Sequence, residues 1–141
     1  MIRLLSILTL SILFALLLSC QSYSTGLQQS VARADETSAI AALKTISTAQ
    51  ETYAVGNNGS FGTFQQLSEA GFLDDRFNSA NPEINNYTLS MEVSANSYRL
   101  NADPSGSGET AGRHLYLDST SPLIRVNPKQ PATAKDPLMQ P

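Results

Sequence analysis

The sequence predicts an α+β fold, with one long N-terminal helix packed on a small antiparallel sheet of three to four strands. Two observations lead to this prediction. An alanine-rich segment runs over residues 32–55 without Pro or Gly, as expected of a helix. From residue 87 the hydrophobic period becomes alternating, which is typical of half-buried strands. Because a lone helix with one apolar face is marginal in water, we expect the strands to cover it.

The predicted helix carries its apolar residues in a single stripe. The positions near helical spacing are Ala39, Ile40, Leu43, Ile46 and Tyr53. Asp35 and Glu36 come early in the segment, where carboxylates complement the helix dipole. Gly56 is the expected end of the helix, since glycine accepts the backbone conformation that follows a last turn.

A short second helix is predicted after a turn-rich segment at residues 57–62. Thr63 followed by Gln66 has the form of a capping box, and Gly71 suits the position just after the helix. The apolar residues in and around it are Phe61, Phe64, Leu67, Phe72, Leu73 and Phe77. We interpret them as cover for the end of the long helix rather than as a binding surface.

The strands are predicted from alternating residues. The first spans residues 87–93, and a turn at 94–97 leads into a return strand at 98–102. A Gly/Ser-rich loop at 103–112 precedes strands at 114–118 and 123–126. Residues 127–141 contain four prolines, and we expect them to form a disordered tail.

The N-terminus has the features of a signal peptide. A short basic start at residues 1–3 precedes an apolar run at 4–18, which is short for a membrane span. The run ends in Leu-Leu-Ser-Cys, which resembles the bacterial lipobox. This resemblance implies cleavage between Ser19 and Cys20 and attachment of lipid, including palmitate, to Cys20. The alternatives are an ordinary secretory signal and an uncleaved membrane anchor.

These boundaries divide the chain into four parts. Residues 1–19 form the predicted lipoprotein signal peptide, and residues 20–30 a polar, lipidated tether. Residues 31–126 form the α+β domain, and residues 127–141 the tail. Because lipid anchoring takes more than one acyl chain, we expect the diacylglycerol and usual third chain of a lipoprotein to hold firmly.

Composition limits the possible partners. The chain has 12 acidic against 9 basic residues, a formal net charge of −3, and no Trp. A nucleic-acid footprint needs clustered positive charge, so we expect no nucleic-acid partner. Cys20 is the sole cysteine, which excludes an intramolecular disulfide.

Catalysis and cofactors are not expected. His114 is the only histidine, and its place in an alternating strand predicts a sheet-surface residue. No serine lies in a G-x-S-x-G setting, and the spacing of acidic residues does not match an EF-hand. Asp103, Glu109 and Asp118 border or lie in the Gly/Ser-rich loop and are weak calcium candidates; the alternative is a flexible solvated loop.

Three blocks of the sequence resemble bacterial type IV pilin-like and pseudopilin-like proteins. Residues 35–53 follow a pattern ending in T-I-x-x-A-Q-x-T-Y, and residues 59–74 match G-x-F-G-T-F-x-Q-L-x-x-A-G-F-L-D. Residues 98–126 resemble the family's strand segment with the R-H-x-Y-x-D pattern. The resemblance implies the globular pilin fold, and for the major pseudopilins of type II secretion a calcium site in a C-terminal loop.

The N-terminus departs from the pilin pattern. The chain has no Gly-Phe-Thr-Leu-Ile-Glu leader junction, and its apolar run ends at Cys20. If the lipobox is used, the cleaved domain lacks the segment with which pilins polymerise.

Together these observations predict a non-catalytic, lipid-anchored envelope lipoprotein with a structural or protein-interaction role beside a pilus or type II secretion-like apparatus. Gln21 after the lipidated cysteine resembles the sorting signal for the outer membrane, if the organism has two membranes. One alternative is a minor pilin or pseudopilin subunit that retains residues 4–18 as its apolar helix. The other is a lipoprotein that binds a small ligand or calcium.

Overall fold

The computed structural model describes the backbone of residues 2–106 and 111–140, and within these ranges the side chains from residue 26 onward. Helix α1 spans Ile2–Gly56, helix α2 spans Phe64–Glu69, and a 3-10 helix spans Asp75–Phe77. The strands are β1 (Glu83–Ile84), β2 (Tyr87–Ser94), β3 (Ser97–Pro104), β4 (His114–Asp118) and β5 (Ser121–Asn127). The prediction of one long helix on an antiparallel sheet is therefore confirmed.

The sheet follows the order of the chain. Its strands are arranged β1-β2-β3-β4-β5, and every neighbouring pair is antiparallel. The β2–β3 hairpin closes at Ser94 and Ser97, where the sequence predicts the turn. The described residues form one strand more than the predicted maximum. The additional strand β1 has only two residues, too few to show an alternating pattern.

α1 covers one face of the sheet, here called the inner face. The fully buried helix residues Ala39, Leu43 and Ile46 meet fully buried strand residues. The strand residues in this core include Leu89, Leu100, Ala102, Leu115 and Leu117. Burying one Leu or Ile side chain stabilises the folded state by about 1.5–3 kcal/mol, so this layer dominates the fold.

The ends of the two helices follow local sequence rules. After Gly56 the chain turns through Asn58 and Gly59, which both have positive φ, and the Gly59 N–H donates to the Ala54 carbonyl. At α2 the Thr63 hydroxyl accepts from the Gln66 N–H, and the Gln66 side chain accepts from the Thr63 N–H. The predicted capping box is thus confirmed.

The predicted tether is helical where its side chains are described. α1 runs without a break through residues 26–30, although Gly26 lies among them. Extending an existing helix costs far less than starting one, which explains why a polar segment with one glycine continues it. Ser19, Cys20 and the apolar run at residues 4–18 lie outside the part whose side chains are described. Among the residues whose side chains are described, 26–106 and 111–140, no helix is long and apolar enough to cross a membrane.

The C-terminal tail is ordered, which corrects the prediction of disorder. Residues 128–140, here called the strap, cross the outer face of the sheet and then run beside β5. The Val126 N–H donates to the Pro137 carbonyl at 3.0 Å, and the Met139 N–H donates to the Ile124 carbonyl at 2.8 Å. Ala132 is 2% exposed. The prolines exclude a helix, but an extended segment can still dock through its carbonyls.

Candidate functional site

Several polar contacts join α1 to the rest of the domain, and one of them lies at the end where the helix enters it. The Arg113 side chain donates from Nε at 3.0 Å and from Nη2 at 2.5 Å to Oε1 of Glu36. The Arg113 backbone N–H donates to the other carboxylate oxygen at 3.1 Å. The Glu36 carboxylate holds the pKa of Arg113 above its usual range. This pair fastens the helix to the end of the β3–β4 connection.

Neighbouring contacts extend this junction. The Tyr87 hydroxyl donates to the Arg113 carbonyl at 2.9 Å, and burial raises the pKa of Tyr87 well above its usual range. The amide of Asn86 donates to the Asp35 carboxylate at 2.6 Å. A groove of about 400 Å³ opens beside the junction. Its lining includes Gln28, Val31, Asp35, Asn86, Ser105 and Gly112.

Another polar contact lies near the C-terminal end of α1, at Gln50. The buried side-chain amide of Gln50 donates to the Gly62 carbonyl at 2.6 Å, and its oxygen accepts the Gly62 N–H at 2.9 Å. Gly62 also lies against the Tyr53 ring, because a Cβ at this position would come within 3.1 Å of it. The Gln50 amide therefore pairs with both polar groups of one residue in the loop before α2.

The outer face of the sheet is polar, and the strap covers part of it. A groove of about 380 Å³ lies between the strap and the sheet, lined by Arg99, Tyr116 and Lys135 among others. A second groove, of about 430 Å³, continues past Arg99 and Tyr116 toward the turn between β4 and β5. Nη2 of Arg99 donates to the Glu92 carboxylate at 2.6 Å, so the guanidinium shared by the two grooves is already paired.

Tyr116 and Asp118 form a local hydrogen-bonded unit on this face. The Tyr116 hydroxyl donates to Asp118 at 2.9 Å, and burial, followed by this bond, raises the pKa of Tyr116 to about 12. Burial alone would raise the pKa of Asp118, but hydrogen bonds from the Thr120 hydroxyl and backbone and from Tyr116 hold it below its usual range. Asp118 therefore has defined partners.

The structure does not bring the calcium candidates together. Asp118 lies opposite Arg99 in the sheet register, whereas Asp103 lies four residues further along β3, about 13 Å away at the usual rise per residue. Glu109 lies outside the described residues. Within the part of the chain that the structure describes, no group of His, Cys, Asp and Glu is arranged to hold a metal ion.

His114 lies on the outer face of β4, as predicted, but it has a partner that sequence reasoning missed. Its Nδ1 is 2.5 Å from Oδ1 of Asp103 on the neighbouring strand, and both side chains are partly buried. The two residues are 11 positions apart in the chain. Only the antiparallel β3–β4 register shows that they meet.

Sequence reasoning also missed the roles of Glu36, Arg113 and Gln50. Glu36 was interpreted only through the helix dipole. All three residues lie within the blocks that resemble pilin-like proteins, and that was the available signal. Their partners could not be found from spacing, since Glu36 and Arg113 are 77 residues apart.

The described part thus has a long helix packed on an antiparallel sheet whose strands follow the order of the chain, and polar contacts that include those of Glu36 and Gln50 join the helix to the rest of the domain. A family model described as type IV minor pilin ComP, DNA uptake sequence receptor, matches residues 26–112. The chain belongs to this family. The match covers more than half of the sequence, including α1 from Gly26 through β3. No curated protein and no solved structure matched the chain.

The family confirms the predicted pilin-like domain and fits a structural role associated with a pilus at the cell envelope. It also conflicts with one expectation. Net charge led us to exclude nucleic acid, whereas the family is described by a receptor for a DNA uptake sequence. Net charge summed over a whole chain does not describe the local surface that a polyanion meets.

Proposed function

We propose that this protein is an envelope-anchored minor-pilin-type subunit or accessory of a type IV pilus system, and that its globular domain contacts DNA. The observation that carries the proposal is the family match over residues 26–112, which includes Glu36 and Gln50 of α1. The fold described above supports it. Transfer of the family's DNA contact to this chain is our inference.

The length of α1 would hold the globular domain at a distance from an anchor near the N-terminus. The part of α1 whose side chains are described runs from Gly26 to Gly56, about 46 Å at 1.5 Å per residue. Asp35 accepts a hydrogen bond from Asn86, whereas Leu27 and Val31, which lie nearer the N-terminus, are exposed. The helix therefore extends beyond the sheet on the side that leads toward the N-terminus.

The positive charges available to DNA are unevenly placed. Arg76, Arg99 and Arg113 are each within ion-pair distance of a carboxylate. Lys129 and Lys135 on the strap form no ion pair within the described residues, nor do Arg125 on β5 and Arg33 and Lys44 on α1. Because phosphate contacts supply most non-specific DNA affinity, we expect the strap lysines to contribute to binding.

The test is DNA binding by the full-length chain in detergent. Fluorescence anisotropy with labelled duplex DNA should show binding that weakens as salt rises. K129A/K135A should bind more weakly, with the slope of log affinity against log salt reduced by about two, one for each phosphate contact. R33A/K44A, which removes two exposed bases from α1, is the matched control and should bind as the wild type does.

Two results would contradict this proposal. One is an absence of binding by the wild-type chain even at low salt. The other is equal weakening in the strap and helix variants, which would indicate a general effect of charge rather than a contact at the strap. Competition between genomic DNA of the source organism and unrelated DNA of equal length would show whether binding is selective for sequence.

We further propose that the anchor is lipid on Cys20. The support is the Leu-Leu-Ser-Cys sequence after a basic start and an apolar run. Intact mass of the protein from its native membrane should give a chain that begins at acylated Cys20, and C20A should lose that species. A mass that retains residues 4–18 and is unchanged in C20A would instead establish the minor-pilin alternative, with the apolar helix as the anchor.

A further inference from the structure

The strap lies in a docking surface that the sheet supplies, here called the strap seat. It consists of the edge of β5 that does not pair with β4, together with the adjacent outer-face side chains that form hydrogen bonds with the strap. We propose that the strap seat also accepts the strap of a second copy of this chain, so that neighbouring anchored molecules exchange C-terminal segments. The proposal does not depend on DNA binding.

The contacts between strap and seat are specific. Leu138 pairs with Arg125 as an antiparallel bridge, flanked by the two backbone hydrogen bonds to β5. The Asn101 amide donates to the Ala132 carbonyl at 2.8 Å, and Nη1 of Arg125 donates to the Asp136 carbonyl at 2.8 Å. A strap with the same sequence from a second molecule can form every one of these bonds.

The strap is held mainly by hydrogen bonds and buries little apolar surface. Ala132 is its only buried residue in the described range, and Met139 is partly buried. Residues 128–131, which connect the strap to β5, are exposed. Segments with few buried apolar contacts open at a low free-energy cost, so we infer that the strap leaves its seat while the core stays folded.

An empty strap seat would be an unprotected sheet edge. β5 would expose the N–H of Val126 and the carbonyl of Ile124, and free edges of this kind pair readily with another strand. The exposed connection at residues 128–131, if extended, reaches about 13 Å, which lets the strap enter the seat of a domain that lies directly beside its own. Anchoring in one membrane raises the effective concentration of neighbouring copies, which favours exchange at high density.

The experiment places one cysteine on each side of the strap contact. Full-length R125C and full-length L138C keep Cys20 and the native N-terminus, and are reconstituted together in phosphatidylcholine vesicles. Mapping of the linked peptides separates the disulfide between residues 125 and 138 from any disulfide that involves Cys20. Each chain alone has only one half of the pair. A disulfide between R125C and L138C therefore forms only when the strap of one molecule lies in the seat of another.

The expected result is a mixed disulfide dimer, identified by a linked peptide, whose yield falls when the chains are diluted in lipid. R125C mixed with K44C, which places the second cysteine on the exposed surface of α1, measures disulfide formation by random collision. This control should give a much lower yield of dimer. A yield for the mixed pair equal to this control would overturn the proposal.

A single chain that carries both R125C and L138C tests the seat itself. It should form an intramolecular disulfide at high dilution, because opposed residues of an antiparallel pair lie within disulfide range. Failure to close would show that the variants do not preserve the Arg125–Leu138 pairing and would also overturn the proposal. Formation of the intramolecular disulfide without any mixed dimer would show that each strap stays in its own seat, and this result would also overturn the proposal.

Discussion

α1 and the strap each lie on one face of the same sheet, but they are held there by different chemistry. α1 buries a continuous apolar layer in which Leu43 and Ile46 are fully inaccessible. The strap buries Ala132 and otherwise depends on hydrogen bonds to Asn101, Arg125 and other polar groups. Hydrogen bonds exchange protein partners for water and contribute about 0.5–1.5 kcal/mol each, less than a buried Leu. We therefore expect global stability to depend on the inner face and local opening to occur at the outer face.

The largest effect should come from the inner face. Leu43→Ala should lower the free energy of unfolding by about 2–5 kcal/mol, because it leaves a cavity between α1 and the sheet. Leu123→Ala is the matched control, since Leu123 is 56% exposed and should change stability little. Urea unfolding followed by circular dichroism measures both. Equal losses of unfolding free energy in the two variants would mean that the inner face does not dominate global stability.

A smaller loss is expected when the one fully buried amide of the inner layer is removed. Gln50→Leu leaves the N–H and the carbonyl of Gly62 without their partners, at a cost of about 1–3 kcal/mol. Glu51→Leu changes the adjacent exposed residue and controls for helix propensity. The same urea titration measures the difference. If Gln50→Leu did not change the free energy of unfolding, we would conclude that apolar packing alone holds the loop before α2.

At the outer face we expect local rather than global change. The Asp136 carboxylate accepts from the Thr133 N–H, the Thr133 hydroxyl and the Asn127 amide. Asp136→Ala should free the strap, seen as faster amide hydrogen exchange in residues 132–139 with the urea midpoint unchanged. Asp75→Ala, an exposed carboxylate outside the strap, should leave exchange there as in the wild type. A large shift of the global midpoint in Asp136→Ala would contradict the division between the faces.

The smallest effect is the pH dependence of the strap. Hydrogen bonds from Thr133 and Asn127 hold the pKa of Asp136 below its usual range. When the strap detaches, this pKa returns to about 3.9, so the detached strap takes up a proton first as pH falls. The contribution of Asp136 is therefore complete above about pH 4 and is lost as pH falls through its lowered pKa.

Hydrogen exchange in the strap should accelerate over this acidic interval once the intrinsic pH dependence of exchange is subtracted. Asp136→Asn provides the comparison, because it lacks the titrating group. An equal pH response in Asp136→Asn and the wild type would assign the effect to another carboxylate.

Sequence patterns were sufficient for the inner layer. The helical spacing of Ala39, Leu43 and Ile46 and the alternation from Tyr87 onward each identify one apolar face, and two such faces have to meet. The capping box at Thr63 was predictable because both of its hydrogen bonds lie within four residues. In each case the governing interaction is local, or is an apolar face that needs cover.

The polar contacts, unlike the apolar inner layer, could not be predicted from sequence patterns. Neither the Glu36–Arg113 pair nor the His114–Asp103 pair has a local signature. Glu36 and Arg113 meet only because α1 packs on the sheet, and His114 and Asp103 meet only through the β3–β4 register. The strap was mispredicted for a related reason. Proline content indicates that a segment cannot form a helix, but it does not show whether β5 offers hydrogen bonds to an extended chain.

The sequence by itself determined the long helix, its apolar stripe, the four longer strands and the resemblance to pilin-like proteins, because these depend on residues close together in the chain. Only the tertiary structure decided which polar groups meet, that the calcium candidates Asp103 and Asp118 lie apart, and that the strap covers the outer face. The physical reason is that directional hydrogen bonds require atoms to be within about 3 Å. Their positions follow from strand register and chain reversal, whereas hydrophobic burial only requires that an apolar face be covered.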